Sequence, residues 1–295
     1  MFISSSIMKM KARCAPCLLN RVLFEGKLVL NDEEKLTGIM GKVIEKMAEI
    51  YSSKKSSAEI ATKIHKYAYE LLNVKDPYKN LKEKSNEIAL SLVPKVKKII
   101  EESEDKLKSA ILCSIAGNSI DFGIAGSASS PDELLTKFDA YIKEGLYCDD
   151  TEEMKKYLKG DILYFTDNCG EIVFDKIVCE YLKKYDINLY LVCKKYPILT
   201  DATYEDVKKL EFEEIVDEII TTGDFAVGVN FYKISEKLRD KLNNASLIIC
   251  KGMANYEAFS ETNFKPIVYF LRVKCKSISE DMNLPVGVNA VKLYK

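Results

Sequence analysis

Two rhythms of apolar residues divide this chain. From about residue 11 to 155, apolar positions recur at intervals of three and four, as in "NDEEKLTGIMGKVIEKMAEIYSS", "AEIATKIHKYAYELL" and "SNEIALSLVPKVKKIIEESEDKL". That spacing predicts helices that each bury one stripe and leave polar residues on the other faces. The segment "SSPDELLTKFDAYIKEG" predicts its own limits: Ser130 as N-cap, Pro131 at the first helical position, Glu133 closing a capping box and Gly145 beyond the end.

After about residue 155 the rhythm changes to short apolar runs: "DILYFT", "INLYLVCK", "VDEIITTG", "SLIICKG" and "KPIVYFLRV". The runs are continuous rather than alternating, as strands read when helices cover both faces of a parallel sheet. Between them "IVFDKIVCEYLKKY", "TYEDVKKL" and "SEKLRDKLNN" supply amphipathic crossover helices. The expected class is α/β, with a doubly wound, mostly parallel sheet over residues 156–295 and an all-helical domain over residues 1–155.

At 295 residues the chain is long enough for about two domains with a sizeable core. No apolar stretch is long enough to span a bilayer. The opening "MFISSSIMKMKARC" lacks the h-region and cleavage site of a signal peptide, with Met8 and Met10 as alternative starts, so a cytoplasmic location is expected. Forty-four basic against forty-five acidic side chains provide no global field for nucleic acid or anionic lipid. An anion must therefore be met locally. The nine cysteines lie mostly in apolar segments (Cys113, Cys179, Cys193, Cys250) and read as small hydrophobes of a reducing compartment. The single histidine, His65, excludes three-histidine zinc sites and leaves a histidine-based triad without support, so the chemistry falls to carboxylates, amides and lysines.

In open α/β sheets ligands bind at the carboxyl ends of the strands. "DILYFT" delivers Asp167 and Asn168 to such an end, "INLYLVCKKYPILTD" delivers Asp201, and "SLIICKG" delivers Lys251 and Gly252. Two carboxylates and a carboxamide are hard oxygen ligands suited to Mg²⁺ or Mn²⁺, with Co²⁺ or Ni²⁺ also admissible. The lysine offers a point charge to phosphate oxygens. Together they predict metal-assisted phosphoryl hydrolysis, with the amides of Cys169 and Gly170 opening the next helix toward the anion. The plain alternative is a set of turns and N-caps at strand ends.

Six ordered segments, "RCAPCLLNR", "DPYKNLKEKSN", "AGNSIDFG", "TDNCGE", "PILTDATYED" and "CKGMANYEAFSE", give most of the chain a resemblance to domain-of-unknown-function family 89, the metal-dependent damage-control phosphatases. The Cys-x-x-Cys start is similar to its small microbial branch. The resemblance implies a helical domain packed on a three-layer α/β/α domain, and hydrolysis of phosphate monoesters of small metabolites, such as sugar phosphates, with a divalent cation. It implies Asp167, Asn168 and Asp201 as metal ligands and Lys251 on the phosphate. It brings Asn118 and Asp121 to the cleft from the helical half, with Asn255 and Glu257 close by. Either Asp121 or Asp167 positions water or attacks the phosphorus itself. Asp76-Pro77-Tyr78 reads as a turn at the mouth, and Cys14 and Cys17, half of a four-thiolate zinc site, read as packing residues first, or as ligands of a metal shared with another chain.

The leading rival is a non-catalytic metal- or nucleotide-binding α/β protein, but no G-x-G-x-x-G and no G-x-x-x-x-G-K-[ST] loop is present. Methyl transfer to carboxylates, proposed for some relatives, lacks a glycine-rich methyl-donor loop. The sequence leaves open the metabolite, the ion and the oligomeric state.

Overall fold

The computed structural model describes residues 9–118, 131–260 and 262–295, with the side chains of 131–135 also left aside. The first half folds as α1 (Cys14–Val29), α2 (Glu33–Ile50), α3 (Ser57–Leu72), α4 (Lys79–Glu101), α5 (Lys106–Gly117) and α6 (Pro131–Glu144). The chemistry of their ends follows the sequence. The side chains of Asp32 and Asp105 accept the amides of Lys35 and Lys108 at the starts of α2 and α5. Helix α6 starts at Pro131 and stops before Gly145, whose φ of 67° a residue with a Cβ would resist. The expected cap at Ser130 lies outside the described residues.

The second half adds β1 (Cys148–Asp149), α7 (Thr151–Lys155), β2 (Gly160–Phe165), α8 (Glu171–Leu182), β3 (Ile187–Cys193), α9 (Tyr204–Lys209) and β4 (Glu218–Thr221). It continues with α10 (Glu236–Asn244), β5 (Leu247–Lys251), α11 (Gly252–Phe259), β6 (Ile267–Arg272), α12 (Lys276–Met282) and β7 (Asn289–Tyr294). The seven strands form one sheet in the order β1-β7-β6-β5-β2-β3-β4. All neighbours run parallel except β6 and β7.

Burial explains the unbroken apolar strands. Ile162 and Tyr164 join a core with α4, α5 and α8 on one face, while Leu163 and Phe165 join another with α10, α11 and α12 on the opposite face. The protein is therefore a three-layer α/β/α body with N-terminal helices, and α1–α3 enclose a third core of their own. Among the described residues no helix is long and apolar enough to cross a membrane.

From β2 the chain winds outward through β3 to β4, then returns to place β5 on the other side of β2. The reversal puts a topological switch point between β2 and β5, where diverging loops open a crevice beyond the strand ends.

Candidate active site

Asp167 and Asn168 follow β2 directly and meet the loop after β3. Residues 168 and 201 pair as an isolated antiparallel bridge, the Ala202 amide donates to the Asp167 carbonyl at 2.7 Å, and the Cys169 amide donates to the Thr200 carbonyl at 2.8 Å. Thr200 Oγ1 donates to Asn168 Oδ1 at 2.6 Å, and Asn168 Nδ2 donates to Asp167 Oδ2 at 2.8 Å. Asp167, Asn168 and Asp201 are thus drawn together by their own backbones. Asp167 and Asp201 are buried, at 7% and 4% exposure.

The crowding of charge shows in their acidities. Burial first, then the charges of Glu171 and Asp201, drives the Asp167 carboxyl well above its ordinary range, and burial raises Asp201 against the pull of Lys194 3.3 Å away. A buried carboxyl whose ionisation its carboxylate neighbours oppose belongs to a donor set that a hard dication would relieve. Gly252 permits a close backbone approach to them: at φ 73° it comes so near that an added Cβ would sit 1.8 Å from Asp167 Oδ2. Among the described residues no three His, Cys, Asp or Glu side chains form a metal cluster by themselves. An ion here would draw on the Asn168 carboxamide alongside the two carboxylates.

Lys251 ends β5 fully buried, with its ammonium donating to Ser114, to Asp175 Oδ1 at 2.9 Å and to Glu171 Oε2 at 3.4 Å. Burial opposes its charge, but Asp175 and Glu171 outweigh that and hold its pKa above the ordinary lysine value. Its three protons are committed within the protein. Asp175 is itself raised by burial, against Lys251, and also accepts from Ser114 and from the Tyr164 hydroxyl at 2.8 Å. Lys194 is similarly enclosed, donating to the carbonyls of Ala226 at 3.0 Å and of Gly228. The half-buried Lys274 is different: its ammonium donates to the Asn118 carbonyl at 2.9 Å and its charge acts on Asp167.

Of the other expected residues, Asn118 Nδ2 approaches Asp167 Oδ2 at 3.4 Å. Asn255 Nδ2 ties the carbonyls of Thr166 and Lys251 together at 2.9 and 2.8 Å, so its amide braces the two strand ends. Glu257 lies apart from this knot, accepting from Ser57 Oγ at 2.5 Å. Asp121 lies outside the described residues. The Asp76 turn forms as expected, its carboxylate accepting the Tyr78 amide at 3.0 Å.

Two expectations are corrected. The amides of Cys169 and Gly170 do not face an anion, because Cys169 donates to Thr200 and Gly170 donates to Asn86 Oδ1 at 2.6 Å. Cys14 packs at the edge of the α1–α3 core but Cys17 is exposed, so packing accounts for one thiol of the pair. Glu171 is a site residue beyond those the sequence predicts: its carboxylate accepts from both the amide and the Nδ2 of Asn168, at 2.9 and 3.3 Å. Its signal was present, a glutamate three residues after an asparagine before an apolar run. Lys274 offered no such signal.

Fold and site together define a doubly wound α/β protein with a buried acidic cluster, flanked by lysines, at its switch point. Residues 10–289 match the damage-control phosphatase ARMT1-like domain. A damage-control phosphatase of Archaeoglobus fulgidus is 38% identical over 288 residues, covering 98% of this chain and 100% of that protein. One of Pyrococcus horikoshii is 30% identical over 283 residues, covering 95% and 96% respectively. A crystal structure of a DUF89 family protein from Pyrococcus horikoshii superposes with a TM-score of 0.87 at 29% identity, covering 97% of this chain and 99% of that one. The chain belongs to the damage-control phosphatase ARMT1-like family.

Proposed function

We propose that this protein is a divalent-metal-dependent phosphatase that hydrolyses phosphate monoesters of small metabolites, sugar phosphates among them. The observation that carries the reading is the junction of Asp167, Asn168 and Asp201 at the switch point, where burial and the charges of Glu171 and Asp201 raise the Asp167 carboxyl. These three residues would hold Mg²⁺ or Mn²⁺. The bound ion would supply Lewis-acid polarisation of the phosphoryl group.

In this reading Lys274, whose ammonium has protons left uncommitted among the described residues, neutralises the phosphate oxygens. Lys251 acts indirectly, holding Glu171 and through it Asn168. Gly252 lets the Asp167 carboxylate pack directly against the start of α11, and Asn118 orients the carboxylate it touches. Asn255 keeps the two strand ends at their spacing, and Glu257 serves the outer wall of the cleft. Residues 1–155 form one wall through Asn86 and Asn118, and residues 156–295 form the floor.

Hydrolysis breaks the phosphorus–oxygen ester bond and forms a new one to the attacking oxygen, water supplying the proton that the departing alkoxide takes up; after carboxylate attack a second step is needed, in which water cleaves the phosphoaspartate. The attacker is a carboxylate of Asp167 or Asp121, or a water that one of them positions. Acid-quench trapping distinguishes them: a carboxylate attacker leaves a phosphoaspartate and water does not. Phosphate release from p-nitrophenyl phosphate and a sugar-phosphate panel, with and without added Mg²⁺ or Mn²⁺, tests the function. Binding of the ions without turnover of any ester would favour a binding module instead.

A further inference from the structure

The turn that presents Asp201 is held from outside the sheet. Glu25 of α1 is fully buried, and His65 and Tyr69, one turn apart on α3, are 1% and 5% exposed. His65 Nδ1 lies 2.9 Å from Oε1 and 3.1 Å from Oε2 of Glu25, and the Tyr69 hydroxyl lies 3.5 Å from Oε1 of the same carboxylate. That hydroxyl accepts the backbone amide of Leu199 at 3.0 Å. With its proton directed at Glu25, the phenol offers a lone pair to the amide.

Leu199 stands at φ 50°, a left-handed conformation that an L residue keeps only when its surroundings fix it. Thr200 and Asp201 follow at once and zip onto residues 167–169. The Tyr69 ring already packs edge-on against Phe225, with centroids 5.7 Å apart, a contact that phenylalanine would serve equally well. Packing therefore does not explain the hydroxyl. Helix α3 also meets a neighbouring loop, whose Val227 amide donates to Thr62 Oγ1 at 2.9 Å, and α11, where Ser57 donates to Glu257.

We propose that Tyr69, braced by Glu25 and His65, is a positioning residue for Asp201: it fixes the left-handed turn at Leu199 and so aims Asp201 at the Asp167–Asn168 pair. The inference rests on the metal-dependent reading above. It gives the only histidine of the chain a place, behind the site rather than in it.

The test uses the full chain with Tyr69→Phe. Hydrogen exchange of the metal-free protein is measured in peptides covering residues 196–203, and Mn²⁺ is titrated by electron paramagnetic resonance. The expected result is faster exchange confined to that segment and Mn²⁺ affinity lowered roughly tenfold, as for loss of a partner that orients a metal ligand. Activity should recover toward wild type at saturating Mn²⁺. Glu25→Gln, which keeps the shape but weakens the brace, should move both readings the same way by less. Wild-type exchange and Mn²⁺ affinity in Tyr69→Phe, or exchange accelerated throughout α1–α3, would overturn the proposal. Because the exchange arm needs no metal, a wild-type protein that fails to bind Mn²⁺ would sink the metal reading alone, and the positioning of the turn would still be decided.

Discussion

Two residues with opposite surroundings, Lys251 and Lys274, carry the sharpest expectations at the scale of single side chains. Lys274→Ala removes a charge-assisted hydrogen bond of about 1.5–3 kcal/mol, so kcat/KM should fall about ten- to a hundredfold with little loss of stability, as steady-state assays and thermal unfolding would report. Lys251→Met instead strands Asp175 and Glu171 in the interior and should cost about 3–5 kcal/mol of folding free energy. Urea titration distinguishes the two behaviours. Gly252→Ala adds a Cβ onto Asp167 in a backbone conformation unsuited to it. Displacing a reacting group by about 1 Å costs about a hundredfold in rate, and that loss is expected here. The placement of Asp167 and Asn168 was legible in the sequence because oxygen-bearing residues directly behind an apolar run lie at a strand end; Asp201, well beyond the end of β3, reaches them through the bridge between residues 168 and 201. The contrast between the lysines was not legible, because sequence shows where an ammonium is attached but not which acceptors consume its protons.

Helix α4 is fastened to α9 by one buried cation. Lys82, 3% exposed, pairs with Asp206 at 2.9 Å and with Asp76 at 3.2 Å. Burial would raise the Asp206 carboxyl, but Lys82 and the Thr203 hydrogen bonds outweigh it and hold its pKa below the ordinary 3.8. Burial likewise opposes the Lys82 charge, and nearby Cys169, Asp206 and Asp76 more than compensate, raising it above its ordinary 10.5. The signs follow by linkage: Asp206 contributes stability above 3.8 that is lost as pH falls through its depressed folded value, and Lys82 contributes below 10.5 and loses it as pH rises through its elevated one. Lys82→Met should therefore lower stability by about 3–5 kcal/mol near neutrality, with a smaller difference from wild type in acid, measured by denaturant unfolding across pH. Element boundaries were legible where local chemistry marks them, as at Pro131 and Gly145 of α6. The edge of the sheet was not: β1 has only two residues, and β7 pairs antiparallel with β6 through contacts the local pattern does not contain.

At the scale of the molecule, the site exists because the chain reverses its winding between β4 and β5. That return sets Gly252 against Asp167 and brings the loops after the parallel strands β2, β3 and β5 to one end of the sheet. The alternation of strands and helices made the doubly wound class readable, but not the strand order, which depends on which distant edges meet. The helical half shares in the construction, through Asn86 on Gly170, Asn118 on Asp167 and Tyr69 on Leu199. The most direct test of the account is calorimetric titration of metal-free wild type and Asp167→Asn with Mn²⁺, followed by phosphate-release assays on the same samples. The account predicts one bound ion and ion-dependent ester hydrolysis in the wild type, with both lost in the variant; hydrolysis that proceeds equally without the ion, or survives in Asp167→Asn at the wild-type rate, would contradict it.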